Sequence, residues 1–221
     1  MARTWVVIPM YNEGRVVQDV VAEVRRTFPH VVCVDDGSSD ESARAAAAAG
    51  AIVVAHPINL GQGAALQTGF DYALSDPAMT EVVTFDADGQ HQVADAVGMV
   101  EKLRAERLDV VIGSRFLDER TEVARLRRLV LRTAALYTRW TSGMALTDAH
   151  NGLRAIDRGV LERMRLTQNR MAHASELVDK IGALDVRWAE YPTHIIYSDY
   201  SKAKGQSLLN SVNILFELIF R

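Results

Sequence analysis

The stretch Val82-Val83-Thr84-Phe85-Asp86-Ala87-Asp88-Gly89-Gln90-His91 decides how this sequence is to be interpreted. It opens with a short apolar run, typical of a buried strand, and continues into a polar turn. In that turn Asp86 and Asp88 are two residues apart, so both carboxylates can reach one divalent cation. Oxygen ligands suit Mg²⁺ or Mn²⁺, and Gln90 and His91 are close enough to add a ligand. A solvated acidic turn is the alternative interpretation.

The same pattern, an apolar run followed by a polar loop, recurs along the first half of the chain. It predicts strands at 5–8, 31–34, 52–55, 82–85 and 110–112, and helices at 16–28, 43–49, 62–74 and 92–107. This alternation favours an α/β fold, with a mostly parallel central sheet and helices on both faces. In such sheets ligands bind beyond the carboxyl ends of the strands, which is where the polar loops fall.

Two further loops carry candidate binding residues. Asp36 follows the second strand and can accept hydrogen bonds from a base or a ribose, while Ser38 and Glu41 are predicted to form a capping box for the next helix. Gly61 and Gly63 would let the backbone approach a ligand, and they open a helix whose N-terminus favours anions. Their spacing differs from that of a dinucleotide-binding loop, so we do not predict such a loop.

The second half of the chain is less regular and more basic. A helix predicted at 123–142 carries an apolar stripe with Arg125, Arg127, Arg128, Arg132 and Arg139 interleaved. A helix near 171–182, a strand at 188–196 and a helix at 205–220 follow. Neither a linker nor an internal repeat is evident, so we expect a single domain over residues 1–221.

Composition and charge narrow the possible classes of protein. Of 221 residues, 48% are hydrophobic and 24% charged, which excludes a disordered tail or a collagen-like fibre. The single cysteine excludes a disulfide framework within the chain. Residues 1–113 carry 8 basic and 16 acidic residues, whereas residues 114–221 carry 17 and 12. The acidic half suits a metal or a polar ligand, and the basic half suits phosphate, nucleic acid or an anionic membrane surface.

The apolar runs also bear on where the protein works. None reaches the roughly 18 residues of a membrane-spanning helix, and the first is too short for a secretory signal. From these runs we expect a cytoplasmic protein, or one that is peripheral on a membrane.

As an ordered set, the motifs resemble those of the family 2 inverting glycosyltransferases, and most closely the polyprenyl-phosphate sugar synthases of the dolichyl-phosphate mannose synthase type. The segments that carry the resemblance are Ile8-Pro9-Met10-Tyr11-Asn12-Glu13, Val34-Asp35-Asp36-Gly37-Ser38-Ser39-Asp40, Gly61-Gln62-Gly63-Ala64-Ala65, Asp86-Ala87-Asp88-Gly89-Gln90-His91 and Gly113-Ser114-Arg115-Phe116. They cover residues 8–116, and weaker similarity continues to about residue 207. The resemblance implies a GT-A fold. It also implies transfer of a hexose, with inversion, from a UDP- or GDP-sugar to a polyprenyl phosphate.

The resemblance assigns donor-site roles to residues of the first half, which we take as 1–116. The nucleotide sugar would contact Pro9, Tyr11, Glu13, Asp36, Gly61, Gln62, Asp86 and Ala87. Mg²⁺ or Mn²⁺ would be held by Asp86, Asp88 and Gln90. Gln62 stands where many relatives have Lys, which removes a cation near the donor.

The second half, 117–221, would face the acceptor and the membrane. The residues implied for the acceptor are Arg115, Arg128, Arg132, Arg154 and Lys202; Asp148, Asn151, Gly152 and Arg154 occupy the place of the family's D-x-x-S-G-F-R segment. The helix at 123–142 would lie on the membrane, with a core-packed helix as the alternative. The tail helix would dock on the bilayer or on a separate membrane protein, and here too a core helix is the alternative. Asp88, Arg115 and Glu176 are the expected catalytic residues.

The role of Glu176 depends on the acceptor. A lipid phosphate is already an anion and needs no general base, whereas a sugar hydroxyl needs one, and Glu176 is the candidate. A carboxylate on the helix surface is its alternative interpretation.

Two other classes of protein remain open at this stage. A nucleotidyltransferase also uses paired carboxylates, but its basic, glycine-rich loop after the first strand is missing here. A module that only binds nucleic acid or membrane would leave Asp36, Asp86 and Asp88 unexplained, and we expect no nucleic-acid partner.

Overall fold

The computed structural model describes residues 1–118, 142–149, 151–170 and 172–196. Its strands are β1 (Thr4–Met10), β2 (His30–Asp35), β3 (Ile52–Ala55), β4 (Glu81–Thr84), β5 (Val110–Ser114), β6 (Arg154–Asp157) and β7 (Trp188–Pro192). They form one seven-stranded sheet in the order β3-β2-β1-β4-β6-β5-β7. All five strands predicted in the first half are present, with ends that differ by at most two residues.

The sheet is mostly parallel, with one reversed strand. β1 pairs in parallel with both β2 and β4, and β2 pairs in parallel with β3. β6 runs antiparallel between β4 and β5, while β7 is parallel to β5. The six parallel strands therefore end at one edge of the sheet, and β6 begins there.

Helices cover both faces of the sheet, as predicted. They are α1 (Val17–Arg25), α2 (Ser42–Ala48), α3 (Gln62–Leu74), α4 (Val93–Ala105), α5 (Arg158–Arg163) and α6 (His173–Gly182). Because side chains alternate along a strand, Val6 and Ile8 of β1 pack in one core with α1, α2 and α4. Val7 points the other way, into a second core with α3, α5 and α6. None of the helices in the described ranges is long and apolar enough to cross a membrane.

The structure also departs from the predictions. β6 and α5 were not predicted, and the capping box was wrong. α2 begins at Ser42, with Glu41 at its N-cap and no side-chain cap. The hydroxyl of Ser38 instead accepts a hydrogen bond from the Asn12 N–H, because the loop after β1 offers it a donor. The predicted helices at 123–142 and 205–220 lie outside the described residues.

Helix α3 lies very close to β1 at Gly69. A Cβ atom on this residue would overlap Cγ1 of Val7, so only glycine allows the observed approach. This packing sets the position of the N-terminus of α3 relative to the carboxyl end of β1.

We expect Gly69→Ala to destabilise the protein by about 1–3 kcal/mol, because an extra methyl group in a filled core forces its neighbours apart. In an open helix the same change would stabilise by roughly 1 kcal/mol. Urea unfolding measures the difference. The cost should shrink when Val7→Ala is also present, since that change removes the overlapping methyl group. An equal cost in both backgrounds would contradict the packing argument.

Candidate functional site

A cavity of about 800 Å³ opens at the edge of the sheet where the parallel strands end. Its walls come from the loops after β1, β2, β3 and β4 and from residue 170. The lining residues are Pro9, Met10, Tyr11, Glu13, Asp36, Asn59, Gly61, Gln62, Ala65, Asp86, Ala87, Asp88, Gln90 and Arg170. All eight residues predicted to bind the nucleotide sugar are among them.

The loop after β1 is held by the loop after β2. Asn12 has a left-handed backbone with φ 54°, a conformation that asparagine tolerates, and this turns the chain back across the sheet edge. Its side-chain oxygen accepts from Ser39 N (2.9 Å), and Glu13 N donates to Ser42 Oγ (2.7 Å). The fixed loop leaves the Tyr11 side chain 46% exposed at the cavity.

The carboxylate of Asp36 is buried and holds the loop after β3. Oδ1 accepts from His56 Nδ1 (2.8 Å) and from Leu60 N (2.9 Å), and Oδ2 accepts from Gly61 N (2.7 Å). Asp36 lines the cavity as predicted, but its oxygens already have three donors within the chain. Its clearest structural role is therefore to shape the wall beside α3.

The glycines at the start of α3 make room for another part of the chain. Gly63 N donates to the carbonyl oxygen of Asn169 (2.8 Å), and Ala64 N donates to the same atom. A Cβ on Gly61 would overlap that oxygen, and one on Gly63 would overlap the Gln168 carbonyl. A backbone carbonyl thus occupies the N-terminus of α3. The N–H groups of Gly63 and Ala64 bind that carbonyl, not the anion that the sequence predicted there.

Asp86 is placed by three neighbours from different parts of the chain. His91 Nε2 donates to Asp86 Oδ2 (2.9 Å), and Gln62 Nε2 donates to Oδ1 (3.3 Å). A Cβ on Gly152 would overlap the carboxylate, so the segment before β6 packs directly against it. Burial alone would raise the pKa of Asp86. The charges of His91 and Arg154 outweigh it and hold that pKa below its usual value.

Asp88 has the opposite electrostatic balance. Burial, and then the charge of Asp86, raise the pKa of the Asp88 carboxyl to about 6. A hydrogen bond from Gln90 N to Asp88 Oδ1 (3.0 Å) fixes the turn. Asp86 and Asp88 are therefore half-buried carboxylates that repel each other beside an open cavity. A divalent cation bound to both of them would relieve this repulsion. No cluster of three or more acidic, histidine or cysteine ligands occurs in the described ranges, so water and substrate oxygens would have to complete the coordination.

Arg115 and Arg154 are both buried. Arg115 donates twice to Asp148, through Nε (2.6 Å) and Nη2 (2.7 Å), and both side chains are buried. Arg154 is 2% exposed, and its Nε has no hydrogen-bond partner in the part of the chain that the structure covers. Neither arginine is among the lining residues, although both were predicted to meet the acceptor. Arg128, Arg132 and Lys202, predicted for the same role, lie outside the described residues.

Glu176 anchors a neighbouring segment. Its carboxylate accepts from the backbone N–H groups of Thr167 (3.0 Å) and Gln168 (2.8 Å), and Lys180 lies 3.2 Å away. Although burial opposes it, these hydrogen bonds hold the pKa of Glu176 below its usual value. Both oxygens are occupied, and the side chain does not line the cavity. These contacts favour a structural role over that of the predicted general base.

Two residues near this segment were not predicted. Arg170 lines the cavity, and its carbonyl oxygen accepts from His173 Nδ1 (2.7 Å). Burial lowers the pKa of His173 to about 4, so its ring is neutral at pH 7. The segment at 168–170 contacts the start of α3, which is distant in sequence, so the sequence does not show that Arg170 reaches the cavity. The only local signal is a basic side chain in a polar stretch.

We expect Glu176→Gln to destabilise the protein by about 1–3 kcal/mol at pH 7, because an amide NH₂ replaces one of the two oxygens that accept from the backbone N–H groups of Thr167 and Gln168. A carboxylate whose pKa is lowered by folding stabilises the fold above its unfolded pKa, and the effect is lost as pH falls through the folded value. The difference between wild type and variant should therefore shrink below about pH 4. Urea unfolding across this range measures it.

Glu162→Gln provides the control, because Glu162 is an exposed carboxylate that pairs with Arg158 on the same helix, α5. It should change stability little at any pH. If Glu176→Gln lowers the free energy of unfolding equally at pH 7 and in acid, the ionised carboxylate is not what holds the segment, and the prediction is wrong.

Comparison with known proteins agrees with this geometry. The profile of glycosyl transferase family 2 matches residues 5–165, which is more than half of the chain. An uncharacterized protein of Methanocaldococcus jannaschii is 31% identical over 98% of this chain and 91% of its own. The UDP-N-acetylglucosamine–dolichyl-phosphate N-acetylglucosaminyltransferase of Methanococcus voltae is 26% identical over 97% and 94%. The polyprenol monophosphomannose synthase of Mycolicibacterium smegmatis is 35% identical over 75% and 65%.

A solved structure confirms the fold that the resemblance implied. Glucosyl-3-phosphoglycerate synthase from Mycobacterium tuberculosis, in complex with Mn²⁺, UDP-glucose and phosphoglyceric acid, superposes with a TM-score of 0.73 at 19% identity. The match covers 99% of this chain and 77% of that chain. From the profile match, the relatives and the cavity at the carboxyl edge of the sheet, we conclude that the chain belongs to glycosyl transferase family 2.

Proposed function

We propose that this protein transfers a hexose from a nucleotide diphosphate sugar to a polyprenyl phosphate at the membrane surface, with inversion at the anomeric carbon. The observation that carries the proposal is the acidic cavity, in which Asp86 and Asp88 face a space lined by residues of four loops. Relatives from two organisms are named for transfer to dolichyl phosphate or polyprenol phosphate. Family membership and the site therefore support the same class of reaction.

The donor would lie across the loops after β1 and β2. The exposed ring of Tyr11 can stack on a nucleobase, and Pro9 forms the adjacent apolar wall. Glu13 and Asn59 offer polar atoms for the ribose. The diphosphate would then extend toward Asp86 and Asp88.

Asp86, Asp88 and Gln90 would hold Mg²⁺ or Mn²⁺. When bound, the cation supplies positive charge that stabilises the leaving diphosphate. The protein's part is to keep Asp86 ionised through His91 and Arg154, and to hold Asp88 in its turn through Gln90 N. A related solved structure contains Mn²⁺ with UDP-glucose, which agrees with this assignment.

The acceptor phosphate would attack the anomeric carbon from the side opposite the diphosphate. A new bond forms between the phosphate oxygen and that carbon, while the carbon–oxygen bond to the diphosphate breaks and its electron pair leaves with the nucleotide. No proton needs to be removed, because a phosphate is already an anion. The occupied carboxylate of Glu176 agrees with such an acceptor better than with a sugar hydroxyl.

The remaining assignments belong to the same proposal. Residues 1–221 would form one domain, peripheral on the cytoplasmic face of the membrane, with Arg128, Arg132 and Lys202 near the lipid phosphate. A separate membrane protein could meet the segment at 205–220. Membership of the glycosyltransferase family argues against a nucleotidyltransferase or a module that only binds nucleic acid.

Incubation of the purified protein with radiolabelled UDP- and GDP-sugars, Mg²⁺ or Mn²⁺ and polyprenyl phosphate tests the acceptor class. We expect label to move into the organic phase with one donor, and the product to be labile to mild acid. A short-chain alcohol without the phosphate serves as the matched acceptor control. Transfer to the alcohol alone, or no lipid-linked product with any donor, would refute the proposed acceptor.

Asp88→Asn should reduce sugar transfer by roughly 100-fold or more, because a neutral amide is a poor ligand for a hard cation. Calorimetry should also show that nucleoside diphosphate binding no longer depends on Mn²⁺. Asp19→Asn, at an exposed position of α1, is the control and should behave as wild type. Full metal-dependent activity in Asp88→Asn would remove the metal assignment.

A further inference from the structure

We infer that Arg170 is a phosphate-binding residue of the cavity. This inference rests on the proposed function and concerns the same site. It names a side chain that neither the sequence motifs nor the comparisons assign. Three observations support it: the charges of the cavity wall, the absence of a carboxylate beside the guanidinium in the described ranges, and the fixed backbone that carries the side chain.

The first observation is the charge of the wall. The other charged residues among those lining the cavity are all acidic: Glu13, Asp36, Asp86 and Asp88. Such a wall repels a diphosphate, and a single divalent cation offsets only part of that charge. Gln62, at the start of α3, is neutral. Of the lining residues in the described ranges, Arg170 is therefore the one that brings a permanent positive charge.

The second observation is that Arg170 has no carboxylate partner among the residues that the structure describes. Arg44, Arg104, Arg115, Arg158, Arg165 and Arg187 each lie within 4.0 Å of a carboxylate oxygen. No such pair is formed by Arg170 with any residue in the ranges that the structure describes. Because a guanidinium forms paired hydrogen bonds with phosphate oxygens, an unpaired one in an anion-binding cavity is suited to that ligand.

The third observation is that the backbone of Arg170 is held firmly. Its carbonyl oxygen accepts from N (3.0 Å) and Nδ1 (2.7 Å) of His173, and the preceding carbonyl, of Asn169, caps α3. A Cβ on Gly61 would lie 3.0 Å from Arg170 Cγ, so the side chain crosses directly over this glycine. A fixed starting point reduces the entropy lost when the guanidinium binds a ligand.

Two phosphates could be the ligand, that of the donor and that of the acceptor. Gly61 and Gln62, beside Arg170, also border the Asp86 carboxylate through the hydrogen bond from Gln62. This position favours the donor diphosphate. Nucleotide affinity and the KM for the acceptor distinguish the two sources.

Calorimetric titration of the full chain with UDP or GDP, uridine or guanosine, and inorganic pyrophosphate, each with Mg²⁺, tests the inference. Arg170→Ala should weaken diphosphate and pyrophosphate binding by roughly 10-fold or more, as expected for a charge-assisted hydrogen bond, and leave nucleoside binding unchanged. Arg170→Lys should recover part of the loss. Arg165→Ala, on the same segment but paired with Asp71 outside the cavity, should match wild type.

The KM for polyprenyl phosphate gives the second arm. An unchanged nucleotide affinity with a KM raised about 10-fold in Arg170→Ala would support acceptor-phosphate binding. If neither quantity changes in a variant with a wild-type melting temperature, or if nucleoside binding falls equally, the inference is wrong. If wild type itself binds no nucleoside diphosphate, the proposed function fails and this inference fails with it.

Discussion

The carboxylate of Asp36 begins a chain of hydrogen bonds on which the cavity depends. It accepts from the backbone of Gly61, and two residues later Gly63 donates to the carbonyl of Asn169. The next backbone link runs from Gln168 to the carboxylate of Glu176 on α6. The carboxylates of Asp36 and Glu176 thus connect the end of β2, the start of α3 and the segment 167–170 into one unit. Each carboxylate accepts hydrogen bonds from backbone N–H groups that would be costly to leave unpaired.

The two carboxylates after β4 differ because their charged neighbours differ. Asp86 lies on the side where His91, Gln62 and the buried Arg154 converge, so its charge is compensated within the protein. Asp88 lies farther along the turn and is left with a neighbour of like charge. Because the charge of Asp86 is compensated and that of Asp88 is not, a positive charge bound near Asp88 would be stabilised. In the proposed reaction, a cation bound with the donor would supply this positive charge.

The first half of the chain was predictable because its signals are local. Apolar runs mark the strands, and the polar residues that follow them reach the cavity because parallel strands end at one edge. β6 was not predictable in this way, since it has four residues, two of them charged, and pairs with strands distant in sequence. Glu176 and Arg170 show the same limit. The sequence shows that one is acidic and the other basic. Which of them faces the cavity depends on how the segment 167–170 packs against α3 and α6.

The reversed strand β6 has a consequence for the order of folding. β4 and β5 are not neighbours in the sheet, and the strand that joins them is synthesised about forty residues after β5. Until it arrives, the inner edge of β4 has unpaired backbone groups, and such an edge is prone to pair with other chains. Arg154 and Gly152 arrive with this strand. Pairing of β6 therefore covers the inner edge of β4 in the same step that brings the positive charge of Arg154 near Asp86, so this edge and the turn of Asp86 and Asp88 mature together.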